Sequence, residues 1–463
     1  MVDPGPHRRS VQVSDKWTGE IFAELERADE ARVESALSAA TAALRQPWPA
    51  RDRAAALRLA TSMLIERRDE VSAMMRRETG FTHTDVRDEF DRALVTLQLC
   101  AEEATRLGGE VVPLGASSGF EDRIAFTIRV PIGVVLAITP FNAPMNTVCH
   151  KIGPALAGGN AVVLKPAELT PMTAQTLVDI LHAAGVPNGY LHAIHGSGSE
   201  VGVRLLRDER VAFATFTGST EVGMIVKRET GIRPVQLELG SASTTIVCED
   251  ADLDRVAADV QRAGFRKAGQ VCTSVQSLLV HRSVAPHLRD LLAERVMALR
   301  AGDPGDSSTE VGPLITEQAA QHADDLIADA VRAGAEVTVG APRTRNLVRP
   351  TLLDGVQPGM RIVSEEIFAP VVSLIKFDSL NEAFGIANAS RYGLQAGFYT
   401  ASLANAMRAA RSLEVGGVIV NGTSSTRADG MPYGGVKGSG FGREGPAYSI
   451  REMTISRLVM LIP

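Results

Sequence analysis

Three stretches near the start of the chain place apolar residues three and four positions apart: ADEARVESALSAATAAL (28–44), RDRAAALRLATSMLIERRDEVSAMMRRETG (51–80) and DEFDRALVTLQLCAEEATRLGG (88–109). That spacing returns to one face of a 3.6-residue turn, so the first hundred residues read as amphipathic helices. Gly80 and Gly108 supply their stop signals. In the third stretch Phe90, Leu94, Leu97 and Ala101 mark the apolar face, and Arg92 falls off it. RIAFTIRVPIGVVLAI (123–138) then changes to an extended pattern, its first half alternating like an exposed hairpin strand.

From residue 161 short apolar runs alternate with helical ones. AVVLKP, YLHAIHG, VAFATFTG and PVQLELG read as strands; MTAQTLVDILHAAG, SEVGVRLLRDE and STEVGMIVKRET read as the helices between them. The alternation restarts with TTIVCED, a helix over DLDRVAADVQRAGFRKAG and the strand-like SVQSLLVHR, and runs to VGGVIVN near 421. Strands separated by helices at this spacing predict parallel sheets covered on both faces, an α/β fold in two halves that meet between 239 and 272.

Composition narrows the function classes. A chain of 463 residues exceeds one small core, so two or three domains are expected. A net charge of −6, with no block of one sign, argues against a nucleic-acid or membrane-surface partner. No apolar run is long enough to span a bilayer, and the polar residues after Arg8 and Arg9 do not form a secretory leader. Cys100, Cys149, Cys248 and Cys272 form no CxxC pair and no cluster with histidine, which predicts no metal, no disulfide framework and a cytoplasmic protein.

Candidate chemistry sits at the junctions. HGSGSEVG (195–202) and FTGSTEVG (216–223) are glycine turns feeding helices, where backbone N–H groups meet phosphates. KPAE (165–168) ends a strand at the carboxyl edge, where α/β sheets bind ligands. A glutamate there can accept both hydroxyls of a ribose diol. TPFNAP (139–144) holds an asparagine in a turn fixed by two prolines, able to aim its NH2 at an oxyanion. GQVCTS (269–274) exposes a cysteine at a glycine junction.

TPFN, KPAE, FTGSTEVG, ELG, GQVC and EEIFAPV, in this order and through to YGGVKGSGFGREG (433–445), resemble the aldehyde dehydrogenase superfamily nearly end to end. The resemblance implies a Rossmann-type cofactor domain (1–112 and 132–239), an α/β catalytic domain (240–434) and a small β oligomerisation arm (113–131 and 450–463). It assigns Cys272 as nucleophile, Asn142 as oxyanion donor and Glu238 as the base for water. NAD, with NADP possible, would be held by Thr139, Phe141, Lys165, Glu168, Gly198, Gly218, Ser219, Glu366 and Phe368. Glu168 is expected to favour NAD. The chain departs from the family pattern at Ser241, where a glycine is common, and at Phe141, where a tryptophan is. An acylating enzyme using coenzyme A and a catalytically retired binding protein are the alternatives; the presence of Glu238, Cys272 and Asn142 argues against both.

In the family, the helix after TPFN, the helix containing residue 92, the cysteine loop and a late loop line the aldehyde tunnel. Here those positions carry Asn146, Thr147 and His150 with Arg92, Arg266 and Arg427 instead of aromatics. That set resembles relatives acting on small anionic aldehydes such as phosphonoacetaldehyde, phosphonoformaldehyde and sulfolactaldehyde, with lactaldehyde and succinic semialdehyde also open. The apolar tail MTISRLVMLIP (453–463) and the 123–130 strand predict a homodimer or homotetramer.

Overall fold

The alternation after residue 161 forms a six-stranded sheet in a computed structural model that describes residues 10–462; Arg8, Arg9 and Pro463 lie outside them. Across the sheet the strands run Gly440–Phe441, Val235–Glu238, Val211–Thr217, Val134–Ile138, Ala161–Lys165 and Leu191–Ala193, parallel except for the first. The chain builds outward from Val134–Ile138 in one direction, then restarts on its other side with Val211–Thr217. The order reverses between those two strands, and such a reversal opens a crevice at their carboxyl ends. TPFN and FTGS leave the sheet at that point.

A second sheet of seven strands takes residues 244–420 with a core of its own, around Val247, Leu279, Leu353, Ile375 and Phe398. Its strands are parallel except Glu336–Val339. The cysteine loop precedes the strand Ser277–His281, so it lies at the amino edge of this sheet, facing the crevice of the first. A third sheet pairs Thr454–Leu461 with Ile124–Pro131 over eight residues and adds Val111–Val112. Ile124, Ile128, Ile455, Leu458 and Leu461 stay exposed on it.

Several elements differ from the sequence pattern. The first hundred residues are not all helical: Ser10–Ser14 and Ile21–Glu26 form an antiparallel hairpin, because SVQVS and the adjoining turn alternate over too few residues to stand out. The stretch 51–80 breaks at Arg67 into Ala50–Glu66 and Arg68–Thr79. The helix predicted over 252–269 stops at Phe265, and Lys267 and Ala268 take left-handed backbone (φ 52°). Gly269 follows at φ 71°, where a Cβ would sit 2.0 Å from the Ala369 carbonyl oxygen. Only glycine fits that close approach.

What holds this strained turn is the helix His83–Arg106, closed at its start by a Thr82–Asp85 capping box. Asp85, Glu89, Arg92 and Thr96 recur at intervals of four, three and four, which puts all four on one face. Asp85 accepts the Lys267 N–H at 2.9 Å. Glu89 accepts the Asn146 N–H at 2.8 Å and the Lys267 ammonium at 2.7 Å. One carboxylate thus caps the helix Asn146–Ala157, which has no side-chain cap of its own, and pins the cysteine loop. Breaking a buried pair by removing one partner costs about 3–5 kcal/mol. Glu89→Ala is therefore expected to lose stability on that scale in urea unfolding, with Glu89→Gln losing less because it keeps an acceptor for the helix; a loss under about 1 kcal/mol for the alanine variant would contradict this role.

Candidate active site

A cavity of about 410 Å³ lies between the two large sheets. Pro140, Phe141, Gly218, Ser219, Glu366 and Phe368 line one end, Arg92, Asn146, Thr147, Arg266 and Arg427 the other, and Asn142, Glu238, Cys272 and Tyr433 the middle.

Cys272 follows directly from the turn pinned by Glu89. Its sulfur lies 3.0 Å from the Tyr433 hydroxyl. Burial pushes the thiol well up, the neighbouring Glu238 adds to it, and Tyr433 and Arg427 oppose. Asn142 donates one amide hydrogen to the Gln270 carbonyl at 2.8 Å, which aligns it with the cysteine loop and leaves the second hydrogen of the NH2.

Glu238 ends the strand Val235–Glu238, buried, with Oε1 lacking a partner among the described residues. Burial, then the like charge of Glu444, raises it to about 7. Glu444 goes the other way. Burial opposes its ionisation, but Lys151 at 3.0 Å and Arg427 at 3.1 Å hold it well below the usual carboxylate range. The paired carboxylate therefore stays charged and keeps its neighbour poised near neutrality, the condition a general base needs.

At the other end, Ser219 caps the helix Thr220–Thr230, accepting from the Val222 N–H at 3.3 Å. A Cβ on Gly218 would meet the Phe216 ring at 2.5 Å, so the turn stays bare. Glu366 accepts the Ser241 N–H at 3.0 Å, and burial raises it to about 8. Phe368, at φ 50°, packs edge-on to Phe141 at 5.9 Å. Thr139, Lys165, Glu168 and Gly198 do not line this cavity. Thr139 is buried with its N–H on the Lys165 carbonyl. Lys165 is buried beside Gly202, its ammonium on the Pro166 carbonyl at 3.1 Å. Glu168 lies 3.7 Å from the Arg27 guanidinium, and Gly198 opens the π-helical turn Gly198–Gly202. Ala167, between Lys165 and Glu168, does reach the cavity.

The substrate candidates separate into two groups. Arg92 is clamped by Asp429 through two hydrogen bonds of 2.7 and 3.2 Å. Asn146 donates to the same carboxylate at 2.9 Å. His150 does not face an aldehyde: it is fully buried, does not line the cavity, and its Nε2 lies 3.0 Å from Asp429. Burial and Arg427 lower its pKa, so the neutral ring donates to Asp429 and helps hold it well below the usual carboxylate range. Arg427 pairs with Glu444 and stacks 3.7 Å over the Tyr433 ring. Arg266 differs. Its guanidinium lines the cavity and donates to the Ser425 hydroxyl at 2.7 Å, and no carboxylate of the described residues pairs with it. A second cavity, of about 600 Å³, touches Arg92, Arg266 and Arg427 from the outside, with Arg255 and Arg262 on its walls. No group of three or more histidine, cysteine or acidic side chains able to hold a metal occurs among the described residues.

Sequence reasoning assigned no role to Glu89, Lys151, Lys267, Asp429, Tyr433 or Glu444. Two of them lie inside the quoted YGGVKGSGFGREG and one beside Arg427 in STRADG, but nothing local marks them.

Comparison with known proteins agrees with this arrangement. The model of the aldehyde dehydrogenase family matches residues 3–459. The chain is 43% identical to the 3-sulfolactaldehyde dehydrogenase of Priestia megaterium, over 97% of this chain and 94% of that protein. It superposes with a TM-score of 0.94 and 32% identity on the glyceraldehyde-3-phosphate dehydrogenase of Methanocaldococcus jannaschii complexed with NADP, covering 98% of this chain and 99% of that one. Aldehyde dehydrogenase 21 of Physcomitrella patens, in complex with the reaction product succinate, gives a TM-score of 0.95 at 34% identity, covering 98% and 95%. A match that runs through both sheets, the arm and the loops meeting at Cys272 makes this chain a member of the aldehyde dehydrogenase family, an oxidoreductase acting on aldehydes.

Proposed function

We propose that this enzyme oxidises a small anionic aldehyde to its carboxylate, with NAD as acceptor and NADP also accommodated. One observation carries the substrate class: the Arg266 guanidinium at the cavity wall, unmatched by any carboxylate of the described residues. A partly desolvated cation in that position selects an anion that completes its charge pairing. Arg92 stands beside it, its own charge balanced by Asp429, so it orients a second oxygen without adding net charge. The similarity to a sulfolactaldehyde dehydrogenase, and to proteins named for a phosphorylated aldehyde or complexed with succinate, supports the same class.

The opposite end fits a dinucleotide. The capped helix start at Ser219 offers N–H groups to a pyrophosphate, the bare turn at Gly218 lets it approach, and Glu366 turns a carboxyl toward the cavity. Bound there, the nicotinamide supplies the hydride acceptor. Lys165 and Glu168 flank Ala167 as ribose contacts. Glu168 is not an isolated charge, because Arg27 lies 3.7 Å from it, so a 2′-phosphate would meet a cation as well as an anion.

The chain's own residues divide the rest of the work. The Cys272 thiol loses its proton to solvent water, and the sulfur adds to the aldehyde carbon. The carbonyl electron pair moves to oxygen, where the free Asn142 N–H and the Cys272 backbone N–H receive it. Once the carbon is oxidised to a thioester, Glu238 takes a proton from water, the hydroxide adds, the C–S bond breaks with its electron pair on sulfur, and the acid leaves as the carboxylate, its own proton and that on Glu238 passing to solvent.

Cys272→Ala is expected to abolish NADH formation. Glu238→Gln should retain a pre-steady-state burst of NADH followed by slow turnover; full steady-state activity in either variant would refute the assignment. Turnover limited by Glu238 should fall as pH drops below about 7, since protonation removes the base. Arg266→Ala should cost roughly ten- to a hundredfold in kcat/KM for an anionic aldehyde, the value of a charge-assisted hydrogen bond, and spare a small neutral one; equal losses would make Arg266 structural. The exposed apolar residues on the strands Ile124–Pro131 and Thr454–Leu461 call for a partner. Light scattering is expected to give a homodimer or homotetramer, and a particle of 49.2 kDa would contradict it.

A further inference from the structure

We propose that Tyr433 is a further catalytic residue, whose hydroxyl donates a hydrogen bond to the Cys272 sulfur and stabilises it as the thiolate. The proposal rests on Cys272 being the nucleophile.

The geometry is specific. The Tyr433 hydroxyl lies 3.0 Å from the sulfur, and that sulfur is its hydrogen-bond partner. The ring is 2% exposed and cannot swing away. Its backbone exchanges hydrogen bonds with Glu444 at 3.0 and 2.6 Å, and Arg427 covers its face at 3.7 Å. Burial pushes the phenol well above its ordinary range, so near neutral pH it keeps its proton and acts toward a thiolate as a donor.

A buried sulfur beside a carboxylate needs such a donor. Burial and Glu238 both disfavour the thiolate; hydrogen bonding to the charged form favours it. The charged groups nearest the sulfur are Glu238 from its strand, Arg427 from the late loop and Arg266 from the cysteine loop, with Lys151 and Glu444 behind Glu238; Arg92, Lys267 and Glu366 line the same cavity. In the ionisation the S–H bond breaks, its electron pair stays on sulfur and the proton passes to solvent water. The Tyr433 O–H bond stays intact. Once the S–C bond forms, the sulfur loses its charge and the hydrogen bond weakens. Tyr433 therefore acts where the sulfur carries charge, before it attacks the aldehyde and again as it leaves the thioester.

Alkylation of Cys272 by iodoacetamide tests this without any aldehyde: the S–C bond forms, iodide leaves, and the labelled peptide is quantified by mass. Cys100, Cys149 and Cys248 are buried, so labelling reports Cys272. Tyr433→Phe keeps the ring and its contact with Arg427. It is expected to label roughly tenfold more slowly at neutral pH, with the midpoint of the pH profile raised by about one unit. Replacing Tyr433 with 3-fluorotyrosine, a more acidic donor of almost the same shape, should lower the midpoint. Unchanged midpoints would overturn the proposal, and if Tyr433→Phe does not fold, an unchanged midpoint with fluorotyrosine alone would do so. A Cys272→Ala enzyme that still forms NADH would instead refute the nucleophile assignment, which the labelling profile leaves untouched.

Discussion

The buried Glu89 carboxylate is the constraint on which the site depends. It fills the bare start of the helix Asn146–Ala157 with one oxygen and holds the Lys267 ammonium with the other. Lys267 and Ala268 occupy left-handed backbone, a conformation costing of the order of 1–3 kcal/mol per residue. It persists because Glu89 and Asp85 fix Lys267 by side chain and backbone, and because Lys267 also donates to the Asn142 carbonyl at 2.9 Å. The cysteine loop, Asn142 and the helix Asn146–Ala157 are thereby referred to one face of one helix. A buried ion pair adds little net stability over apolar packing. What this one provides is position.

Charge is partitioned along the cavity by the same economy of partners. Two carboxylates, Glu238 and Glu444, lie close enough to repel, and Lys151 and Arg427 both attach to Glu444. Glu444 keeps the charge, and Glu238 is left near the pH at which a base can take and return a proton. At the far end Asp429 gathers Arg92, Asn146 and His150. That balances the Arg92 charge, whereas Arg266 on the same wall has no carboxylate partner among the described residues. Neither outcome follows from any single residue's identity; each follows from which neighbour took which partner.

Much of the fold was legible in the residues. Helical and strand periods act within a dozen positions, so the alternation after 161, the two sheets and the apolar arm strands could be read directly. Glycine turns and rigid Pro-flanked loops are local signals too, which is why Asn142, Gly218, Ser219 and Cys272 could be singled out; Glu238, Glu366 and Phe368 came from the family resemblance, and all of these residues are found around one cavity. The misreadings were of short elements, where the period has too few residues to register: the hairpin at 10–26, the break at Arg67 and the early stop at Phe265.

The sequence by itself determined which elements form, where the glycine turns stand and which side chains carry chemistry. The tertiary structure alone decided their partners. Arg92 meets Asp429 from 337 positions away, Lys151 meets Glu444 from 293, and Cys272 meets Tyr433 from 161. His150 was read as a substrate contact and stands behind the wall, because the helix Asn146–Ala157 brings Asn146 and Thr147 to the cavity and sets His150, one turn on, against Asp429 outside it. Local periodicity specifies the face of a helix. What that face touches depends on how separate elements pack, and hence on which charge is neutralised and which is left to bind a substrate.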